Sequence, residues 1–212
     1  MDFFRVSLVI TSLRILKSSS VYRDHRIVNE SLTFHPHSAT RRTTFSLFTN
    51  IALGEKCEIE KEDIPELIAI FKFLINKNET RFVVACRRLF LGVGRQELID
   101  RLIDYMIGLE ALYSPDGHME LTFRLSIRAA CLLKSKPDDK KDTYRFIKKM
   151  YDIRSSIVHG NTCNPSLKKD DVDNLEEILR ESIKLWISNK NNFDKDNLDN
   201  ILFNLPNLIP RP

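Results

Sequence analysis

Beyond Glu60 the apolar positions recur every three or four residues almost to the end of the chain; before it they fall in short runs broken by Ser, His-Pro and Asn. The first pattern has the period of helices that bury one face, and the second suits small strands or an extended arm. Asp63-Ile64-Pro65-Glu66 predicts a helix to about Leu74, because proline is tolerated in a first turn where its missing N–H has no partner to lose. Further helices are expected from about Glu79 to Phe90, Arg95 to Tyr113, Met119 to Leu133 and Asp170 to Ser188, the last with Val172, Leu175, Leu179, Ile183 and Trp186 inward. Ser114-Pro115-Asp116-Gly117 reads as a turn, Lys134 to Lys141 as a polar loop, and a further helix follows it with Arg154 near its end. The fold class is thus mainly α, a helical bundle with a small β-rich N-terminal segment. Residues 1–60 form that segment, 61–188 the bundle, and 189–212 a polar tail with one short helical pattern at Leu198 to Phe203. Val6 to Ile15, Arg26 to Val28, Leu32 to Phe34 and Thr43 to Phe48 are the candidate strands, too few for a self-sufficient sheet. They either pack on the helices or end a β module.

Three charges fall where the helical period calls for apolar side chains. At about 100° per residue, Phe146, Ile147, Met150, Ile153, Ile157 and Val158 share one arc, and Arg154 lies inside it. A guanidinium buried without a partner is strongly disfavoured, so Arg154 requires a carboxylate, an aqueous cleft or an anionic ligand. Glu110 sits at the edge of the arc made by Leu98, Ile99, Leu102, Met106, Leu109 and Tyr113, and Arg128 at the border of the one made by Leu121, Leu125, Ala129 and Leu132. Glu110 and Arg128 are expected to pair and fix helix register, which leaves Arg154 as the surplus cation. Five residues beyond it stands His159, followed by the helix-stop signal Gly160-Asn161.

Composition narrows the field without choosing within it. The 212 residues include 33 basic and 29 acidic side chains, a net charge of +4 that tolerates a polyanion partner without requiring one. Cys57, Cys86, Cys131 and Cys163 form no CxxC pair and no zinc-ligand spacing, so free thiols in a reducing compartment are expected. Val6 to Ile10 is too short for a membrane span and lacks a cleavage site, which predicts a soluble cytoplasmic protein with no membrane partner. No metal and no cofactor are expected: His35-Pro36-His37 offers two imidazoles without a third ligand, and His25 and His118 stand alone in predicted loops. Leu91-Gly92-Val93-Gly94 reads as a turn rather than a phosphate cradle, and there is no Gly-x-Ser-x-Gly elbow. Arg41-Arg42, Arg87-Arg88 and Lys140-Lys141 are small basic clusters whose default reading is solvated surface.

Several stretches together carry a resemblance: Cys86-Arg87-Arg88-Leu89-Phe90, Asp100-Arg101-Leu102-Ile103-Asp104, Leu109-Glu110-Ala111-Leu112, Phe123-Arg124-Leu125-Ser126-Ile127-Arg128-Ala129, and Tyr151-Asp152-Ile153-Arg154-Ser155-Ser156-Ile157-Val158-His159-Gly160. The span from about Phe82 to Gly160 resembles the HEPN superfamily, and within it the Apea-like branch. An Arg-x4-His string alone is unspecific; joined in order to the upstream motifs it becomes fairly specific. The resemblance implies a helical bundle in which Arg154 and His159 act in metal-independent RNA cleavage, with two protomers juxtaposing their motifs in one cleft. Many active members of that family place Asn, Asp or another strong polar group directly after the arginine, where this chain has Ser155.

The residue types suit that chemistry. Cutting RNA at its own 2′-hydroxyl requires a base for that proton, donors that hold the phosphate as charge develops, and an acid for the leaving 5′-oxygen. His159 can serve as base or acid, and Arg154 presents a fork to two phosphate oxygens. One histidine does not easily serve both proton transfers, so a symmetric homodimer through the Arg154 helix face is expected. Ser155, Ser156, Tyr151, Glu110 and Arg128 are the supporting or substrate-binding candidates. Two readings follow: a ribonuclease acting as a toxin or antiphage effector, possessing an antitoxin or larger complex as partner, and a non-catalytic RNA-binding or protein-interaction module in which Arg154 ties the bundle together.

Overall fold

The computed structural model describes residues 3–17, 27–35, 38–46, 59–76, 79–115, 120–160 and 167–203. Cys57, Cys163, His25, His37, His118 and the Asp116-Gly117 part of the expected turn lie outside these residues. In chain order the elements are helix α1 (Phe3–Leu16), strands β1 (Ile27–His35) and β2 (Ser38–Ser46), and helices α2 (Ile64–Asn76), α3 (Thr80–Val93), α4 (Leu98–Tyr113), α5 (Leu121–Leu133), α6 (Pro137–Val158), α7 (Lys169–Ser188) and α8 (Lys195–Phe203). Single 3-10 turns at Lys61–Asp63 and Lys190–Phe193 lead into α2 and join α7 to α8. The chain is mainly helical. The two strands form an antiparallel hairpin, with Ile27 opposite Ser46 and His35 opposite Ser38.

The run from Val6 to Ile15, expected as a strand, is helical. Its β-branched residues favour strands on intrinsic grounds, but packing decides. Ile10, Ile15 and Leu16 are buried, and α1 lies against α2, α3 and α7. Arg14 fastens it twice: Nη1 donates to the Phe90 carbonyl at 2.5 Å, and the Arg14 carbonyl accepts from Arg180 Nε at 2.8 Å.

Helix α4 runs through the middle of the bundle, touching α3, α5, α6 and α7. Leu102, Tyr105, Met106, Leu109, Leu112 and Tyr113 on it are fully buried. Small residues let the neighbours approach. A Cβ at Gly108 would stand 2.8 Å from Leu179 Cδ2 of α7, and one at Gly92 would overlap the Tyr105 ring. Burial is joined by charge. Glu176 of α7 accepts from the Tyr105 hydroxyl at 2.6 Å and from Arg101 at 2.8 Å, and it pairs with the buried Arg180 at 2.5 Å. These bonds hold α4, α7 and α1 in one register, since each buried charge has its partner.

Two boundaries and two buried-face assignments differ from the sequence expectation. Helix α6 begins at Pro137, with Asp138 and Asp139 in its first turn, so the loop expected to reach Lys141 is only 134–136. Proline preset for a first turn and acidic residues at the dipole's positive end account for the earlier start. Residues 189–203 belong to the core, because Phe193 and Leu198 are fully buried and the Phe193 ring lies 4.8 Å from that of Trp186. On the surface side, Val158 is 55 % exposed and Ile99 42 % exposed, although the wheel places both on buried arcs. Among the described residues no helix is long and apolar enough to cross a membrane.

Candidate functional site

Ile147 and Met150, both fully buried, seat α6 against the core, and Ile153 and Ile157 pack on the same cluster further along. That anchoring turns Arg154 toward α4. Its Nη2 lies 3.7 Å from Glu110 Oε1, with side-chain exposures of 22 % for Arg154 and 20 % for Glu110. A charge-assisted hydrogen bond would close to about 2.7–2.9 Å, so this is an ion pair without a hydrogen bond. Consistently, Glu110 Oε1 and Arg154 Nε are buried and have no hydrogen-bond partner. The guanidinium is thus neither sealed in the core nor fully satisfied: it stands partly exposed at the seam of α4 and α6, with its Nε donor unmatched.

Tyr151 lies one turn before Arg154 and Ser155, and the Arg154 guanidinium carbon is 5.7 Å from its ring centroid. Thr122 of α5 faces the Tyr151 hydroxyl. The Tyr151 hydroxyl is held above its ordinary range, chiefly by burial and then by the Glu110 carboxylate, against the pull of Arg154. Burial likewise raises the Glu110 pKa above the usual 4.5, with Arg154 acting in the opposite direction. The carboxylate therefore feels its low-polarity surroundings more than the cation beside it.

His159 caps α6 and is exposed; its backbone N–H donates to the Ser155 carbonyl at 3.0 Å. Gly160 follows in the left-handed region, φ +69°, where glycine pays no Cβ penalty, and its N–H closes onto the Ile157 carbonyl at 3.1 Å. Five residues of helix separate Arg154 from His159 by about 140° around the axis. The arginine accordingly turns inward to α4 while the imidazole stands at the open end. Ser155 and Ser156 are partly exposed between them.

The expected pairing of Glu110 with Arg128 does not occur. Arg128 is fully buried, donates to the Tyr113 carbonyl at 2.7 Å and pairs with Asp199 of α8 at 2.5 Å. It staples the end of α4 to α5 and α8. Glu110 is drawn instead to Arg154. Thr122 was missed as a neighbour of Tyr151, since nothing in its local sequence marks it. Also missed were Asp104, which receives both Arg88 at 2.7 Å and Arg95 at 3.1 Å, and the Arg101–Glu176–Arg180 network. For Glu176 a signal existed, since it falls beside the apolar arc of Val172, Leu179 and Ile183, where a carboxylate demands a cation; Asp104 gave none, because it falls opposite the expected arc of α4. No protein-family model, curated protein or solved structure matches the chain.

Proposed function

We propose that this chain is a metal-independent endoribonuclease of HEPN type, a toxin or antiphage effector that cuts RNA with Arg154 and His159. The observation that carries the reading is the Arg154 guanidinium, half-buried between α4 and α6 and paired with a carboxylate 3.7 Å away without a hydrogen bond to it. A phosphate diester presents two oxygens to such a fork and forms hydrogen bonds that Glu110 does not. His159, exposed at the neighbouring helix end, exchanges protons with the attacking 2′-hydroxyl or the leaving 5′-oxygen.

The single imidazole of the Arg154–His159 motif favours two copies around one scissile phosphate, one acting as base and the other as acid. The exposed Val158 beside His159 supplies apolar surface for that pairing. A cytoplasmic location and control by an antitoxin or a larger complex belong to the same reading. The competing reading is a non-catalytic RNA-binding or protein-interaction module. It is favoured by the Glu110–Arg154 ion pair itself, which links α4 to α6 without any ligand.

Mixed cellular RNA incubated with the purified protein in EDTA separates the two. Fragmentation by the wild type and none by His159→Ala supports the nuclease; RNA left intact by the folded wild type contradicts it.

A further inference from the structure

Along α6 a second pattern runs up to His159. At about 100° per residue, Lys141, Arg145, Lys148, Asp152, Ser155 and His159 stand within about 40° of a single line. All are exposed except the half-buried Ser155. Lys140, Tyr144 and Tyr151 flank that line on one side. Three cations, Lys141, Arg145 and Lys148, thus share the line with one anion, Asp152, while Lys140 flanks it on one side and Asp138 and Asp142 flank it on the other. At a rise of about 1.5 Å per residue the strip from Lys141 to His159 is about 27 Å long. Two of its cations have acidic neighbours, Lys141 with Asp138 at 3.9 Å and Arg145 with Asp142 at 3.5 Å. Such exposed pairs are weak and yield readily to a denser anion.

Aromatic rings stand beside these cations. Phe123 of α5 is 47 % exposed and meets Tyr144 nearly edge to face, with ring centroids 6.3 Å apart. Further along, Tyr151 links the strip to Arg154. A row of cations with rings beside it fits a chain whose phosphates and flat bases alternate, the phosphates on the cations and the bases on the rings. A duplex hides the faces of its bases, so the rings select a single strand.

We propose that this strip is a track for single-stranded RNA that leads to His159, with phosphates on Lys141, Arg145 and Lys148 and a base stacked at Tyr144 and Phe123. The assignment of RNA as the polyanion rests on the nuclease reading; the track itself is a binding surface and is measured without cleavage.

The probe is a fluorescent single-stranded oligoribonucleotide with 2′-O-methyl sugars, which lacks the attacking hydroxyl, titrated with the full chain at several salt concentrations. The triple variant Lys141→Gln/Arg145→Gln/Lys148→Gln is expected to bind about tenfold or more weakly at low salt. Its plot of log affinity against log salt is expected to be shallower by about two, at about 0.7 per contacted phosphate. Tyr144→Leu is expected to weaken binding about fivefold or more, and Tyr144→Phe to keep most of it, because stacking needs the ring. A triple variant that binds like the wild type at every salt concentration overturns the proposal, as does a wild type that binds no oligonucleotide. A duplex of the same sequence that competes equally well overturns the single-strand assignment. Binding that depends on the strip, together with unmodified RNA left uncut, upholds the track and sinks the nuclease reading; cutting with binding indifferent to the triple variant does the reverse.

Discussion

Glu110 on α4 and Arg154 on α6 face each other at 3.7 Å, close enough for charge to be felt and too far for a hydrogen bond. The seam between the two helices therefore holds a loosely paired cation, and its carboxylate responds more to burial than to that cation.

This has a consequence for stability against pH. Because burial raises the Glu110 pKa above the usual 4.5, the folded chain keeps a proton that the unfolded chain has released. The stabilisation is fully present below the unfolded value and is lost as pH rises through the raised one. Glu110→Gln removes this loss. Its stability is expected to fall less than that of the wild type between mildly acidic and neutral pH, and at neutral pH to equal or exceed it by on the order of 1 kcal/mol. Urea unfolding midpoints of both proteins at the two pH values check this.

His159→Ala should separate chemistry from folding. The side chain is exposed, so its removal is expected to change stability by no more than about 0.5 kcal/mol. RNA cleavage is expected to fall by roughly 10²–10⁴, the usual worth of a positioned acid or base. Thermal unfolding and initial cleavage rates on the same preparation test both halves.

Gly92→Ala is expected to destabilise by about 1–3 kcal/mol, the usual cost of overpacking. The added Cβ overlaps the Tyr105 ring, which must shift away from Glu176. Gly94→Ala serves as the control, because the nearest atom to its Cβ is the Leu91 carbonyl oxygen at 3.4 Å. Chemical denaturation of the two variants side by side is the measurement.

Arg180→Met is expected to cost about 3–5 kcal/mol, since breaking a buried pair strands its partner. It leaves Glu176 with one cation fewer and the Arg14 carbonyl without its donor. Loosening of α1 ahead of the rest of the bundle, seen as faster amide exchange over residues 8–16, would accompany the loss.

The helices were legible where the apolar period was uninterrupted, and α3, α4, α5 and α7 start and stop close to their expected ends. Periodicity failed at α1, whose β-branched residues take helical form because the core covers Ile10, Ile15 and Leu16. The wheel found the anomaly at Arg154 but named the wrong partner for Glu110. Angle around one helix says nothing of height along the next, and the residue that claims Arg128 is Asp199, 71 positions away on α8. Val158 misled for a related reason: it belongs to the last turn of α6, where the neighbouring helices no longer cover the apolar arc. Tyr151 could be read from its place one turn before Arg154, whereas Thr122 is brought to Tyr151 only by the packing of α5 on α6.

The central claim is that Arg154 and His159 cut RNA without a metal, and the chemistry of the new ends tests it most directly. Mass spectrometry of an RNA incubated with the full chain in EDTA is predicted to show 2′,3′-cyclic phosphate and 5′-hydroxyl termini that vanish with Arg154→Lys and with His159→Ala. Termini that persist unchanged in both variants, or intact RNA with the folded wild type, would contradict it.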